Sequence, residues 1–326
     1  MSHRAKEFPG NKWAAVMLSL LFLAITIAPE FSLAENLKTI VDSSGREVQF
    51  AKPFSRIISL YSAHTENICS LDAADLLVGI ATGDDYPETV LHKPTFSYRE
   101  DPEKFIGARP DLVLVRPMIE RSYPEFINKL RQVGITVVSL QPTSNDDIFS
   151  YWQTLGILTG RELQAEQMKA VFSARLADVR KRVQQIPLEN RPRVYFEAIH
   201  NKMKTFAPDS IAAYVLGQAG GINLAADAEQ VRETNIAAYG KERLLSRGAD
   251  IDIYLAQQGR MNPVEVETIS GEPGFQAIKA VREGKILLIA EPLVSRPTLR
   301  IIDGIEHLHA AFFPETTEGS EKQKNP

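Results

Sequence analysis

The sequence has few of the residues that build metal sites and disulfides. Its 326 residues include one cysteine, Cys69, and six histidines. A single cysteine cannot form a disulfide within the chain, and the apolar residues around Cys69 predict a buried small side chain rather than a reactive thiol. His307 and His309 lie two positions apart in one predicted helix, and therefore on different faces, while the other histidines are scattered. We therefore expect no metal centre built from clustered side chains.

The sequence also lacks a strong charge of either sign and lacks catalytic motifs. Its 37 Lys and Arg residues and 41 Asp and Glu residues give a net charge of -4, and the basic residues are dispersed, which argues against a nucleic-acid partner. We find no Gly-x-Ser-x-Gly elbow, no phosphate loop and no adjacent nucleophile and base. The glycine-rich stretch 217–223 lacks the spacing of a phosphate loop. The expectation is a protein that is not an enzyme.

One long apolar run lies near the N-terminus, and no second one follows it. Three basic residues in positions 4–12 precede the run at 13–28, and small residues at 32–34 follow it. This order is typical of a secretory signal peptide, here 1–34 with cleavage after Ala34; a transmembrane anchor, the alternative, needs ~20 apolar residues. Because Cys69 lies far beyond the cleavage site, we expect a periplasmic protein that is not a lipoprotein.

The rest of the chain reads as two similar halves around a helical stretch. Short runs rich in Val, Ile and Leu, separated by helical segments, indicate parallel strands covered on both faces. These runs are 56–60, 76–81, 112–116 and 136–140 in the first half, and 193–198, 252–256 and 285–289 in the second. The proline-free stretch 146–185 predicts one long helix or a pair, with a break at Gly160.

The predicted division follows from this pattern. It consists of an N-terminal α/β lobe at 35–143, a linker helix at 144–186, a C-terminal α/β lobe at 187–314 and a disordered tail at 315–326. The tail is assigned to disorder because it lacks apolar anchors. The pattern alone also allows a single, larger doubly wound domain.

Three motifs carry a resemblance to a known family. They are Ile-Val-Asp-Ser-Ser-Gly-Arg-Glu-Val at 40–48, Arg-Ile-Ile-Ser-Leu-Tyr-Ser-Ala-His-Thr-Glu at 56–66 followed by Leu-Leu-Val-Gly-Ile at 76–80, and Ala-Arg-Pro-Asp-Leu-Val-Leu at 108–114. The sequence resembles the periplasmic substrate-binding proteins that feed ABC importers for iron-siderophores, haem and cobalamin. The resemblance implies the class III fold: two doubly wound α/β lobes joined by a long, rigid backbone helix, with the ligand in the cleft between them.

Aromatic and arginine residues recur just past the predicted strands. Open α/β sheets place ligands at the carboxyl ends of their strands, so we expect these residues to contact ligand. The candidates are Tyr61, Ser62, Tyr86, Tyr98, Arg116, Met118, His200, Tyr239, Arg260 and Arg296. Among them, Tyr86 and Tyr98 suit stacking, and Arg116 and Arg296 suit bidentate contacts with anionic groups. For His200 an ordinary loop position is the alternative to a ligand contact.

The resemblance also implies a docking role for two glutamates. Glu66 lies in the Thr-Glu motif of the first lobe, and Glu242 has the corresponding place in the second lobe. In the resembling proteins such glutamates lie exposed at the tops of the lobes and contact permease arginines. The alternative for Glu66 is charge complementarity with the N-terminus of its helix.

The expected function is that of the solute-binding component of an ABC importer. It would capture a metal chelate, which could be siderophore-iron, haem or a cobamide, and deliver it to the permease. One alternative is a binding protein of the same architecture for zinc, manganese or an oxyanion such as molybdate, and a second is an enzyme of the chelatase type. We expect a monomer with no cofactor and no nucleic-acid partner.

Overall fold

The computed structural model describes Met1 and residues 37–142, 144–232 and 234–314. The predicted signal peptide at 1–34 and the predicted tail at 315–326 lie outside the described residues. No helix among those described is both long and apolar enough to cross a membrane.

The first lobe begins with a hairpin and continues as a parallel sheet. Strands β1 (Lys38–Val41) and β2 (Glu47–Phe50) pair antiparallel. The sheet contains β3 (Ile57–Ser59), β4 (Leu77–Ala81), β5 (Thr95–Phe96), β6 (Leu112–Val115) and β7 (Thr136–Ser139), in the order β5-β4-β3-β6-β7. Its helices are α1 (Ser62–Ser70), α2 (Pro102–Ala108), α3 (Pro117–Ser122) and α4 (Pro124–Gln132).

The central strands of the first-lobe sheet are buried on both faces. All residues of β3 and β6 are buried, as expected for parallel strands that read as unbroken apolar runs. Gly79 allows the Phe96 ring to lie directly over the sheet, because a Cβ at Gly79 would lie 2.3 Å from that ring.

Cys69 is half-buried in α1 and unpaired, and burial raises the pKa of its thiol to about 11. The thiol is therefore protonated and unreactive at neutral pH.

Two helices connect the lobes. Helix α5 (Asp147–Thr159) ends at Gly160, whose φ of 67° is left-handed, and α6 (Glu162–Gln184) runs for 23 residues. The break falls where the sequence predicts it. Trp152 of α5 is fully buried and packs edge-on against Phe172 of α6. These helices belong to a hydrophobic core that contains residues of both lobes.

The second lobe has a mixed sheet. Its strands are β8 (Arg193–Ile199), β9 (Lys204–Phe206), β10 (Ile222–Asn223), β11 (Glu229–Gln230), β12 (Ile236–Ala238), β13 (Ile253–Gln258) and β14 (Ile286–Ala290). Their order is β11-β12-β9-β8-β13-β14, and β10 also pairs with β8. The pairs among β8, β10, β13 and β14 are parallel, whereas β9 pairs antiparallel with β8 and β12, and β11 with β12.

The helices of the second lobe follow the same chain order. They are α7 (Ile211–Gln218), α8 (Lys241–Ser246), α9 (Val266–Ser270), α10 (Lys279–Arg282), α11 (Glu291–Val294) and α12 (Ile301–Phe312). Helix α12 packs against α6 and α7, so the end of the described chain returns to the connecting helix.

Candidate functional site

A cavity of about 430 Å³ lies between the lobes. The first lobe contributes the residues that follow β3, β4, β5 and β6, and the second lobe contributes those that follow β13 and β14. Its polar and aromatic lining consists of Tyr61, Ser62, Thr82, Phe96, Ser97, Tyr98, Arg99, Arg116, Arg260, Glu291 and Arg296. This volume falls in the range of small-molecule sites, roughly 300 to 1,000 Å³. We call this cavity the cleft.

The walls of the cleft are strongly cationic. Four arginines and one carboxylate, that of Glu291, line the cleft. Arg296 pairs with Glu66 at 2.9 Å and with Asp85 at 2.7 Å. Within the described part of the chain, no carboxylate oxygen lies within 4.0 Å of the guanidinium nitrogens of the other three arginines, Arg99, Arg116 and Arg260. Three positive charges therefore line the cleft without a carboxylate partner among the described residues.

The floor of the cleft is formed by an aromatic ring under an arginine. The Arg116 guanidinium lies 4.5 Å from the centroid of the Tyr61 ring, and its Nε donates to Gln141 Oε1 at 3.1 Å. Burial raises the pKa of the Tyr61 phenol, although the Arg116 charge opposes the shift. Below it, burial lowers the pKa of His64 to about 3. The floor is therefore uncharged apart from the arginine.

The two lobes also touch at the mouth of the cleft. Gly83 follows β4 of the first lobe, and Arg260 follows β13 of the second. A Cβ at Gly83 would lie 2.4 Å from Arg260 Nη1, so the absence of a side chain lets the arginine reach across. Arg260 is thus placed where it could meet a ligand held by the first lobe.

Glu66 is buried between the lobes. Its side chain is 2% exposed and accepts hydrogen bonds from Arg296 and Arg300 of the second lobe. Burial works against the charge of Arg296, but hydrogen bonds to Asp85 and Glu66 outweigh it and raise the Arg296 pKa. The same bond lowers the pKa of Asp85. Arg296 is therefore a cleft residue whose charge is already matched.

Residues 57–293 match the family model described as periplasmic binding protein. The chain belongs to this family. The match spans both lobes and the connecting helices, and it includes every lining residue of the cleft except Arg296.

Two solved structures and one relative are similar over most of this periplasmic binding protein. A possible iron-binding, periplasmic solute-binding protein of Staphylococcus epidermidis is 26% identical, with a TM-score of 0.69, over 80% of this chain and 100% of that one. The ABC-type Fe³⁺-hydroxamate transport system of Saccharomonospora viridis is 25% identical, with a TM-score of 0.67, over 84% of this chain and 98% of that one. An uncharacterized ABC transporter substrate-binding lipoprotein of Bacillus subtilis is 24% identical over 93% of this chain and 97% of its own.

These comparisons confirm the predicted fold and correct one prediction. The two-lobed α/β architecture is the one expected from the sequence motifs. The Bacillus subtilis relative is a lipoprotein, and by this finding the prediction that the protein is not a lipoprotein is wrong. That prediction depended only on the position of Cys69, and a relative matched over nearly the whole chain outweighs it.

Six of the predicted ligand residues line the cleft. They are Tyr61, Ser62, Tyr98, Arg116, Arg260 and Arg296. Tyr98 lies beside Tyr123, with 4.8 Å between ring centroids, and the Arg99 guanidinium lies 5.6 Å from its ring. These neighbours hold the Tyr98 ring at the wall of the cleft.

The other four predicted ligand residues lie away from the cleft. Tyr86 is 45% exposed and stacks against the Arg300 guanidinium at 4.1 Å. Met118 lies exposed on α3. His200 is buried in a 3₁₀ turn, where its Nδ1 lies 2.8 Å from Glu197 Oε2. Tyr239 is buried against Tyr195, with 5.5 Å between ring centroids. The structure therefore does not place these four residues in the lining of the cleft: Tyr86, His200 and Tyr239 contact other side chains, and Met118 is exposed.

The two glutamates expected at the lobe surfaces differ from each other. Glu242 is exposed in the first turn of α8, as expected. The expected exposure of Glu66 is wrong, because two arginines of the second lobe cover its carboxylate. Helix-dipole complementarity does not describe Glu66 either, since it is the fifth residue of α1 and no acidic residue lies in the first turn.

Other residues that line the cleft are not among the predicted ligand residues. Arg99 follows Tyr98 directly, and Met261 follows Arg260, so each adjoins a residue that was found. Glu291 immediately follows β14. Arg116 was predicted because ligands bind at the carboxyl ends of parallel strands, and the same argument applies to Glu291.

Proposed function

We propose that this periplasmic binding protein captures an anionic ferric chelate and delivers it to the permease of an ABC importer. The observation that carries the proposal is the set of three arginines, Arg99, Arg116 and Arg260, that have no carboxylate partner among the described residues and surround a cleft lined by tyrosines. Guanidinium groups pair bidentately with carboxylates, and tyrosine rings offer flat apolar surface to an organic scaffold. The import role is supported by the relative whose name describes an ABC transporter substrate-binding lipoprotein.

Iron is proposed on the basis of the two similar structures. One is a possible iron-binding protein, and the other belongs to an Fe³⁺-hydroxamate transport system. A ferric chelate with peripheral negative groups fits the cleft of this protein better than a neutral hydroxamate, because burying three arginines under a neutral ligand would leave their charges unpaired.

The alternatives fit the cleft less well. A bare zinc or manganese ion would be repelled by the arginines, and among the described residues no group of three His, Cys, Asp or Glu side chains could hold a metal ion. A small oxyanion such as molybdate would pair with arginine, but it would leave most of a 430 Å³ cavity and its tyrosine rings without contact.

Binding, rather than catalysis, is the proposed activity. We propose that the protein acts outside the cytoplasm as a monomer and returns its chelate unchanged. Size-exclusion chromatography with light scattering tests the monomer, and mass spectrometry of the released chelate tests for turnover.

The central experiment is a fluorescence titration with chelates of different charge. The probes are ferric citrate, a ferric tricatecholate, neutral ferric hydroxamate, haemin, cyanocobalamin, zinc, manganese and molybdate. We expect micromolar or tighter binding of the anionic ferric chelates and weaker binding of the neutral hydroxamate. Tight binding of zinc or manganese without a response to any chelate would overturn the proposal.

Substitution of one arginine of the cleft, Arg116, tests whether the arginines bind the chelate. Arg116→Gln should weaken binding of the anionic chelate about 10- to 150-fold, since a hydrogen bond to a charged group contributes about 1.5 to 3 kcal/mol and 1.4 kcal/mol is a factor of ten. Arg121→Gln, at an exposed position on α3, is the matched control and should leave affinity unchanged. Equal affinities of the two variants would refute the role given to Arg116.

A further inference from the structure

A short segment of the second lobe, residues 296–300, contacts the first lobe, and we call it the brace. Glu66 Oε1 accepts from Arg296 Nη1 at 2.9 Å and from Arg300 Nη2 at 2.8 Å, and Glu66 Oε2 accepts from Arg300 Nε at 3.0 Å. Arg300 therefore binds the carboxylate with two parallel bonds, which is the strong and directional geometry for this pair.

Neutral hydrogen bonds hold the same segment to the same helices. The carbonyl oxygen of Pro297 accepts from Asn67 Nδ2 at 2.9 Å and from Trp152 Nε1 at 3.1 Å. Asn67 is the neighbour of Glu66 on α1, and Trp152 lies on α5. The brace is thus fixed to two elements of the first half of the chain by groups that are themselves buried.

The brace ends in the wall of the cleft. Arg296 is both a partner of Glu66 and a lining residue of the cleft, and its side chain is 8% exposed. A buried arginine that loses its carboxylate partner must either find another or move toward water, since an unpaired buried charge is costly. Asp85 also accepts from Arg296, at 2.7 Å and 3.3 Å, but its side chain is 57% exposed, and Glu291 lies 3.9 Å away. Glu66 is therefore the buried carboxylate partner of Arg296, and we infer that it fixes the depth of the arginine in the cleft.

We propose that Glu66 is a positioning residue, which joins the lobes through the brace and sets the place of Arg296 in the cleft. This assignment replaces the expected contact with the permease. The effect on ligand affinity rests on the proposed function, whereas the joining of the lobes does not.

Trp152 reports on the brace without a ligand. The sequence contains two tryptophans, Trp13 and Trp152, so Trp13→Phe leaves one reporter in the full-length protein. Trp152 is 0% exposed and donates to the brace. If the brace opens, acrylamide should reach the indole and its emission should shift to longer wavelength.

The decisive comparison is Glu66→Gln against Glu242→Gln in the Trp13→Phe background. Glu66→Gln keeps the size of the side chain but removes the charge, and we expect the acrylamide quenching constant of Trp152 to rise about threefold or more as the segment opens locally. Glu242→Gln, on the exposed surface of the second lobe, should leave it unchanged. An unchanged constant in folded Glu66→Gln would overturn the proposal.

If Glu66→Gln does not fold, Arg300→Gln provides a second test of the proposal. Arg300→Gln removes the two parallel bonds but leaves Glu66 paired with Arg296, so a smaller rise in quenching is expected. No rise in Arg300→Gln would overturn the proposal as well.

The affinity of the protein for a chelate distinguishes a specific effect on the position of Arg296 from a general loss of stability. Ferric citrate is the probe, and we expect Glu66→Gln to bind it about tenfold more weakly at a temperature where the variant is fully folded. Glu66→Asp should recover part of the loss because it restores the charge at a shorter reach. Failure of the wild-type protein to bind any chelate would overturn the proposed function and leave the Trp152 result to decide the role of Glu66. Normal quenching and affinity with lost uptake would make Glu66 a transporter contact and overturn the proposal.

Discussion

His64 makes the folded protein sensitive to acid. It lies in α1 beneath Tyr61 and is fully buried. Its Nε2 lies 3.2 Å from the Val115 carbonyl oxygen, which can only accept, so Nε2 carries the proton. Its Nδ1 must then accept from the Tyr151 hydroxyl at 2.7 Å. This arrangement satisfies a neutral imidazole, and a second ring proton, on Nδ1, would require the Tyr151 hydroxyl to turn from donor to acceptor.

The size and sign of the effect follow from the two pKa values. Burial lowers the folded-state pKa of His64 to about 3, with the backbone bond to Val115 opposing the shift and the Arg116 charge adding to it. The unfolded chain binds this proton near pH 6.5. The stabilising effect of neutral His64 is therefore complete above pH 6.5 and lost as pH falls toward 3. One pKa unit corresponds to 1.36 kcal/mol, so about 2.7 kcal/mol is lost by pH 4.5.

Urea unfolding at pH 7 and pH 4.5, in the wild type and in His64→Gln, measures this effect. Glutamine can still donate to the Val115 carbonyl, but it does not titrate. We expect the wild type to lose about 2 to 3 kcal/mol more than the variant between the two pH values. Equal losses in the two proteins would refute the reasoning.

His200 does not obscure this comparison. The hydrogen bond to Glu197 raises the pKa of His200 above its unfolded value. Its contribution to stability is therefore fully present below the unfolded pKa and is lost as pH rises through the folded pKa. The contribution of His200 therefore changes only above about pH 6.5. Because the wild type and His64→Gln both retain His200, any change between pH 6.5 and pH 7 cancels when the two proteins are compared.

Three further predictions concern the cleft and the packing. Tyr98→Leu should weaken chelate binding about tenfold while Tyr86→Leu changes it less than about twofold, as fluorescence titration would show, because only Tyr98 lines the cleft. Raising the salt concentration from about 0.1 to 1 M should weaken binding of ferric citrate, and salt-independent affinity would contradict the arginine assignment. Gly304→Ala should destabilise the fold by about 1 to 3 kcal/mol in urea titrations, because its Cβ would lie 2.1 Å from the Leu293 carbonyl oxygen. Gly107→Ala is the control: a Cβ there would have no atom within 4 Å, and the substitution should stabilise the fold by about 0.5 to 1 kcal/mol.

The buried parallel strands could be predicted because their signal is local. The β3 and β6 runs are apolar without interruption, and Gly160 marks the helix break with its own backbone conformation. The antiparallel strands β9, β11 and β12 could not, because they span two or three residues and depend on pairing with β8 and with each other. Period-two alternation needs longer segments than these to be visible.

The sequence shows which residues follow the carboxyl end of a strand, but it does not show in which direction the next loop runs. After β6, helix α3 begins at once and leaves Arg116 at the cleft. After β8, the chain turns at His200–Lys202 and returns as β9, so His200 folds back over the sheet and pairs with Glu197. Arg116 and His200 both follow the end of a buried strand directly, so the sequence gives them the same predicted role. Their different positions arise because β8 pairs with β9, which follows it in the chain.

Glu66 shows the same limit at longer range. The Thr-Glu motif fixes its place on α1, but its burial depends on Arg296 and Arg300, which are 230 and 234 positions away. Once those partners are known, the charges of the cleft can be assigned. Arg296 is matched within the protein, so the negative groups of a bound chelate would be met by Arg99, Arg116 and Arg260, two from the first lobe and one from the second. An anionic ligand would therefore add an electrostatic link between the lobes beside the one that Glu66 already provides.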